Sequence, residues 1–264
     1  MFRCVLVTIA MGANKGEKMD KSQICYVAFL DIMGFANLVM DNTPEFVLKY
    51  LQNLLSVNSI FEQLTPNIKT SVISDTIAVY TPVLNDKNED LTRYRNFLHF
   101  VGVLQYQSMT APNFGLPLRG GITKGEFYSN NKDILFGKAW VKAYALEQKA
   151  NSPRVIVDKN TNEYNCLLTM HSNGQRNNRV SLLKMDEDGE LYCNYLNNIL
   201  THDGELQPKN MYDTCISSHK NRIVAGLKSP IECVRKKYLW LQKYHNYFCD
   251  GFQELKEYNV EVTP

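Results

Sequence analysis

The stretch FLDIMGF, residues 29–35, ends an apolar run on an aspartate and turns at once on a glycine. Together with the residues before it, QICYVAFLDIMGF (23–35) has the nearly continuous apolar character of a buried central strand. VISDTIAVY (72–80) repeats the device, with Asp75 between the two short β-branched runs IKTSVIS and TIAVYTP, which reads as a tight hairpin.

Working outward, Thr43-Pro44 opens a helix with proline at its first position, and Phe46, Val47, Tyr50, Leu51, Leu54, Leu55, Phe61 and Leu64 recur at helical spacing. After a polar loop at 85–90, a second amphipathic helix uses Leu91, Tyr94, Phe97, Leu98, Val101 and Leu104. LPLRGGITKGEFY (116–128) is a glycine-broken strand, where glycine often means close approach to the backbone by something else. DILFG leads into the helix KAWVKAYALEQKA, and RVIVD (154–158) is a further strand. The order β-α-β-β-α-β, then α-β, predicts an α+β protein with a ferredoxin-like split core and helices on one face of an antiparallel sheet. Residues 159–209 are polar apart from the short strands RVSLLKM and ELYCNYL, and a helix follows at about 210–226. Ser229-Pro-Ile-Glu232 reads as a capping box opening a long helix through Ile231, Val234, Tyr238, Leu241, Phe248, Phe252 and Leu255. The expected organisation is a leader over 1–22, a core over 23–158, and the rest of the fold with a helical C-terminal extension over 159–264.

A net charge of +2 without a long basic block argues against a dedicated nucleic-acid surface. Seven scattered cysteines, with no CxxC or Cys/His ligand spacing, read as reduced thiols of a cytoplasmic protein, mostly core filler. The apolar stretch Cys4–Met11 is too short to span a bilayer; it faintly imitates a signal peptide but reads better as a leader, with translation naturally beginning at Met19. No other stretch is a membrane candidate. The five histidines lack ligand spacing, and the aromatic face from Tyr238 to Phe252 reads as core or dimer contact.

In this layout Asp31 ends the first strand and Asp75 tips the neighbouring hairpin, so the two carboxylates can share one metal-sized site. Held close, they repel unless protonated or bridged by cations, and divalent metals bridging carboxylates and a triphosphate are the usual reason for such a pair. Spacing alone leaves a second reading open, in which two unrelated aspartates cap a turn and a helix.

Four blocks in order, FLDIMGF, SDTIAVY, RGGITKGEF and FGKAWVKAYALE, the last trailed by PRVIV, resemble the class III nucleotidyl cyclases. More closely, the chain looks like the bacterial pyrimidine nucleotide cyclases of the Pycsar anti-phage system, over about residues 23–158. The resemblance implies that Asp31 and Asp75 hold two Mn²⁺ or Mg²⁺ ions, with the backbone carbonyl of Ile32 completing one site. It implies a homodimer with shared active sites, UTP as the preferred substrate with CTP as runner-up, and a cyclic product read by a separate effector.

The chain departs from the purine cyclases of that class where they carry an asparagine and a transition-state arginine: those positions hold Val141 and Ala145. Arg119 and Lys142 are the candidate replacement cations. Ser71 and Ile134 fall at the base-selecting positions, Lys69 enters by a register slip, and Phe29 and Tyr144 are further substrate-side candidates. The rival expectations are a catalytically inactive nucleotide-binding or dimerisation module and a conventional purine cyclase.

Overall fold

The computed structural model describes residues 22–58, 61, 67–111, 115–130, 134–161, 181–201 and 203–261. The expected leader, except Ser22, lies outside the described residues, as do Cys4, Leu64, Cys166, His171 and His202, and the first two residues of RVSLLKM.

Strand β1 (Gln23–Ile32) is central, antiparallel to β3 (Thr76–Pro82) on one side and to β4 (Leu118–Ser129) on the other. Strand β2 (Lys69–Ile73) forms a hairpin with β3. The resulting order β2-β3-β1-β4 is that of the ferredoxin-like βαββαβ core. Helices α1 (Phe35–Asp41) and α2 (Pro44–Leu55) link β1 to β2, and α3 (Lys87–Thr110) links β3 to β4. Because side chains alternate along a strand, Tyr26, Ala28, Leu30 and Ile32 share one face of β1, where they pack with Tyr50, Leu54, Tyr94 and Phe97 from α2 and α3.

Helix α3 begins inside the stretch that reads as a loop. Asp86 caps it, its Oδ1 accepting from the amides of Asn88 and Glu89 at 2.9 Å each, so polar residues form its first turn. The expectation of helices on one face holds for α1 to α3 and fails for α4 (Lys138–Ala150). That helix covers the other face, where Cys25, Val27 and Phe29 pack with Ala139 and Ala143. The reason lies in β1 itself, because a strand apolar on both faces needs cover on both. The short β5 (Leu135–Phe136) folds back on β4, and β6 (Val155–Val157) returns beside β4 in parallel after α4. Strands β7 (Leu183–Met185) and β8 (Leu191–Cys193) extend the sheet past β6.

The expected helical extension is α5 (Lys209–Leu227) and α6 (Glu232–Asp250). The capping box at 229–232 does not form: α6 starts after Ile231, and the Ser229 hydroxyl accepts from the Ile231 amide at 3.3 Å instead. Tyr244, Phe248 and Phe252 are buried in a second core with Tyr195 and Ile216, as their reading as core requires. Arg222 of α5 ties the extension to the first core. It donates from Nε to the Met109 carbonyl (2.8 Å) and from Nη2 to the Ala111 carbonyl, acceptors that the end of α3 leaves open, and from Nη1 to the Gly115 carbonyl (3.0 Å) ahead of β4. Of the five cysteines among the described residues, Cys25, Cys193 and Cys249 are buried, and all five are free thiols. No helix of the described residues is long and apolar enough to cross a membrane.

Two fully buried histidines, His219 and His245, lie between α5 and α6 with Nδ1 atoms 2.9 Å apart. The Tyr258 carbonyl can only accept, so His245 donates to it from Nε2 (2.9 Å) and must accept at Nδ1. His219 therefore donates from Nδ1 and accepts at Nε2 from the Tyr195 hydroxyl (2.7 Å). This chain needs both rings neutral, and burial pushes both imidazoles below their ordinary pKa. With folded values depressed, the unfolded chain takes up protons first as pH falls, so stability is full above about pH 6.5 and is lost below it. Going from pH 7 to pH 5 should cost about 2 kcal/mol for each histidine in urea denaturation. NMR titration should show both rings neutral down to pH 5, and a ring that protonates near pH 6.5 in the folded protein would contradict the assignment.

Candidate active site

Asp31 is the last but one residue of β1, directly opposite Thr76 on β3 and Arg119 on β4. Ile73 pairs with Thr76, so Ser74 and Asp75 form a two-residue turn, with Ser74 at a φ of +58°. The Ile32 amide donates to the Asp75 carbonyl at 2.8 Å, and the Met33 amide to the Pro117 carbonyl at 2.9 Å. These bonds pin the hairpin tip and the approach to β4 against the end of β1. Gly34, with a φ of +84°, then lets the chain turn into α1.

The meaning of Arg119-Gly120-Gly121 is steric. A Cβ on Gly121 would lie 2.5 Å from the Ala143 carbonyl oxygen and 2.9 Å from the Glu147 nitrogen, so only glycine lets α4 rest its backbone on β4. A Cβ on Gly120 would lie 2.5 Å from the Phe29 carbonyl oxygen. The close approach delivers Glu147, with a side chain only 1% exposed, to Arg119. Nη2 of Arg119 contacts both Glu147 Oε1 and Asp31 Oδ2, the latter at 3.3 Å.

Burial pushes the Asp31 carboxyl above its ordinary pKa; Arg119 pulls it back, the like charge of Asp75 raises it further, and Lys237 of α6 lowers it. Burial likewise raises the Glu147 carboxyl, opposed by Arg119 and reinforced by Asp31. Asp31, Asp75 and Glu147 thus feel one another or share a guanidinium, with Arg119 at the centre.

The cross-strand register puts Phe29, Asp31, Ser71, Lys69 and Arg119 on the face that α4 covers: Ser71 opposes Ala78, which opposes Phe29, and Lys69 opposes Tyr80. Phe29 lies between the rings of Trp140 (4.9 Å) and Tyr144 (5.3 Å), both edge-on. The structure therefore gathers Asp31, Asp75, Arg119, Phe29, Ser71 and Tyr144 at one sheet face. Ile32 buries its side chain on the opposite face. Lys142 is exposed on α4, as are Val141 and Ala145, and Ile134 is 54% exposed beyond β4, so neither Lys142 nor Ile134 joins the cluster within one chain.

Glu147 and Lys237 are not among the residues singled out from sequence. The signal for Glu147 is a spacing: Ala139, Ala143, Glu147 and Ala150 fall on one helical stripe, and all four are buried. A carboxylate in a stripe of alanines must have a cation waiting. Lys237 has no such mark.

Among the described residues no three His, Cys, Asp or Glu side chains gather as a metal cluster. Asp31 and Asp75 nevertheless fit a hard divalent cation, because they are oxygen donors whose mutual repulsion a cation relieves, with remaining positions open to phosphate oxygens and water.

No family model matches the chain, and no curated protein matches it. Similar solved structures include the adenylyl cyclase CyaB from P. aeruginosa, at 16% identity over 66% of this chain and 94% of that one, with a TM-score of 0.44. Another is the guanylate cyclase domain of RhGC from Catenaria anguillulae in complex with GTP, at 16% identity over 66% and 96%, with a TM-score of 0.46. A third is the catalytic core of a rhodopsin–guanylyl cyclase with converted specificity in complex with ATPαS, at 17% identity over 65% and 94%, with a TM-score of 0.45. With each TM-score below 0.5, the site is read from its own residues.

Changing Gly121 to Ala should cost about 2 kcal/mol or more in urea denaturation, since α4 must move off β4. Gly125→Ala is the control: its Cβ would sit 3.5 Å from the Ala139 Cβ, an ordinary contact, and stability should stay within about 0.5 kcal/mol. Equal effects at the two positions would contradict the account.

Proposed function

We propose that this protein is a metal-dependent pyrimidine nucleotide cyclase, closing UTP to cyclic UMP with release of pyrophosphate. The observation that carries the reading is the pair of carboxylates Asp31 and Asp75, set at neighbouring strand ends by the β1–β3 register and the two-residue turn, and coupled through their charges. In the reaction the ribose 3′-oxygen bonds to the α-phosphorus, the bond to the bridging oxygen breaks, and the 3′ proton leaves to solvent. Asp31 and Asp75, with the Ile32 carbonyl, would hold Mn²⁺ or Mg²⁺, two ions by the family resemblance. A divalent cation there supplies charge to the triphosphate and lowers the pKa of the attacking hydroxyl. The chain's own part is to orient: two fixed carboxylates set where the phosphates lie, and the apolar wall of Phe29 and Tyr144 keeps water from one side.

The pyrimidine preference follows from what the base would meet. Ser71 carries no long charged or amide group to read a purine edge, nor would Ile134 if a second copy brought it to the base, and a polar site discriminates strongly only when its partners are present. Lys69, on the same strand face as Ser71, keeps CTP and the purines in play as alternatives.

Arg119 is the cation beside Asp31, whereas exposed Lys142 would reach a site only from a second copy. Exposed Ile73, Phe136, Val141 and Tyr144, between 48% and 66% accessible, support a homodimer with shared sites. In the anti-phage setting that the resemblance implies, a separate effector reads the product. The exposed apolar Val141 and Ala145, in place of an asparagine and an arginine, favour an inactive binding module as the second reading.

Purified protein incubated with equimolar NTPs and Mn²⁺ should yield chiefly cyclic UMP by mass spectrometry, and Asp31→Asn or Asp75→Asn should each lower turnover at least about 100-fold with the fold intact. Predominant cyclic CMP would overturn only the uridine preference. Predominant cyclic AMP or cyclic GMP would overturn the pyrimidine reading, and no product with any NTP would favour the inactive module.

A further inference from the structure

Arg119 is incompletely satisfied where it stands. Among the described residues its Nε–H is buried with no hydrogen-bond acceptor, and Oε1 of Glu147, though in contact with Nη2, is also buried without a well-directed hydrogen bond. The contact from Nη2 to Asp31 is 3.3 Å, long beside the 2.7–2.9 Å usual for a charged pair. One guanidinium nitrogen thus serves two carboxylates, while the geometry that satisfies an arginine best, two parallel N–H···O bonds to one carboxylate, is made with neither. A small rotation toward Glu147 would bring Nε and Nη2 onto that carboxylate together and free Asp31.

We propose that Arg119 is an exchangeable occupant of the Asp31 carboxylate, and that Glu147 is the positioning residue that receives it when a divalent cation takes Asp31. The inference rests on the metal-dependent reading above and adds its regulation. A guanidinium and a metal ion repel each other and compete for the same oxygens. Arg119 then keeps Asp31 neutralised at rest and withdraws by one rotation rather than by unfolding. Glu147 is placed for this by the Gly121 approach: it is buried, carried by α4, and among the described residues contacts no cation but Arg119. Gln148 already donates to its Oε2, so the carboxylate is oriented as well as buried.

The test is a double-mutant cycle read as Mn²⁺ affinity of the full chain, by calorimetry or by the electron paramagnetic resonance of free Mn²⁺. Glu147→Gln should weaken Mn²⁺ binding about tenfold, because Arg119 then has only Asp31 to hold. Arg119→Met should tighten it, and in that background Glu147→Gln should change it less than about twofold. Equal weakening by Glu147→Gln in both backgrounds would mean that Glu147 acts through its charge alone, and the proposal falls. Since Arg119→Met leaves a buried carboxylate unpaired, Arg119→Lys is run beside it. Lysine keeps the charge without the two-pronged geometry, and it should also abolish most of the Glu147 effect. A full effect there overturns the exchange. The Nε–H resonance of Arg119 gives an independent reading: Mg²⁺ should move it to lower field in the wild-type chain and not in Glu147→Gln, and a resonance that ignores Mg²⁺ contradicts the rotation. If wild type and Asp31→Asn bind Mn²⁺ equally, the metal-site reading itself fails. If wild type binds and Asp31→Asn does not, but the cycle shows no coupling, only the exchange fails.

Discussion

A carboxylate as deeply buried as that of Glu147 requires a cation, and Arg119, the cation that reaches it, is also the cross-strand neighbour of Asp31. That shared guanidinium joins helix α4 to the end of the central strand and fixes how the candidate site is charged. It is possible only because Gly121 has no side chain: the helix backbone lies on the strand, and Glu147 is carried to within contact of a residue two positions away on β4. The electrostatics of the site therefore depend on a steric fact about one glycine.

The sheet adds a second constraint. Strand β1 is apolar on both faces through its middle, with polar Gln23 at its start and Asp31 near its end, so it must be covered twice and presents its carboxylate where that cover stops. Helices α2 and α3 supply one cover and α4 the other. The hairpin turn of Ser74 and Asp75 is held at the same end by its bond to Ile32, which makes the end of the strand a meeting point for three segments far apart in sequence.

These features explain why some of the structure was legible beforehand. The alternation of β-branched runs with helical spacings carries the βαββαβ order, and aspartates that interrupt apolar runs make Asp31 and Asp75 candidates, although their spacing alone leaves them open to a capping role. Arg119 stands out in the sequence as a candidate for the cation that Ala145 does not supply. Glu147 carries a weaker mark, its place in a stripe of alanines: a glutamate on an amphipathic helix usually faces water, and the contact between α4 and β4 is what turns that stripe inward. The second face was missed although the apolar continuity of β1 called for it. At α6 a proline-containing start signal was overread: Ser229 bonds locally and the helix begins two residues later than a capping box would place it. Lys237 owes its influence on Asp31 to how α6 lies on the rest of the fold, which no local pattern encodes.

The bonds from Arg222 carry a consequence for how the chain is made. Their carbonyl partners, at Met109, Ala111 and Gly115, lie 113, 111 and 107 residues earlier. During vectorial synthesis the ferredoxin-like core leaves the ribosome long before that guanidinium does. The nascent core can pair its strands, and Ser108 and Met33 can already donate to the carbonyls of Leu116 and Pro117, but the carbonyls of Met109, Ala111 and Gly115 wait for their guanidinium until α5 has emerged. A ribosome stalled ahead of Arg222 would display both aspartates on a core in which the carbonyls of Met109, Ala111 and Gly115 still lacked that donor.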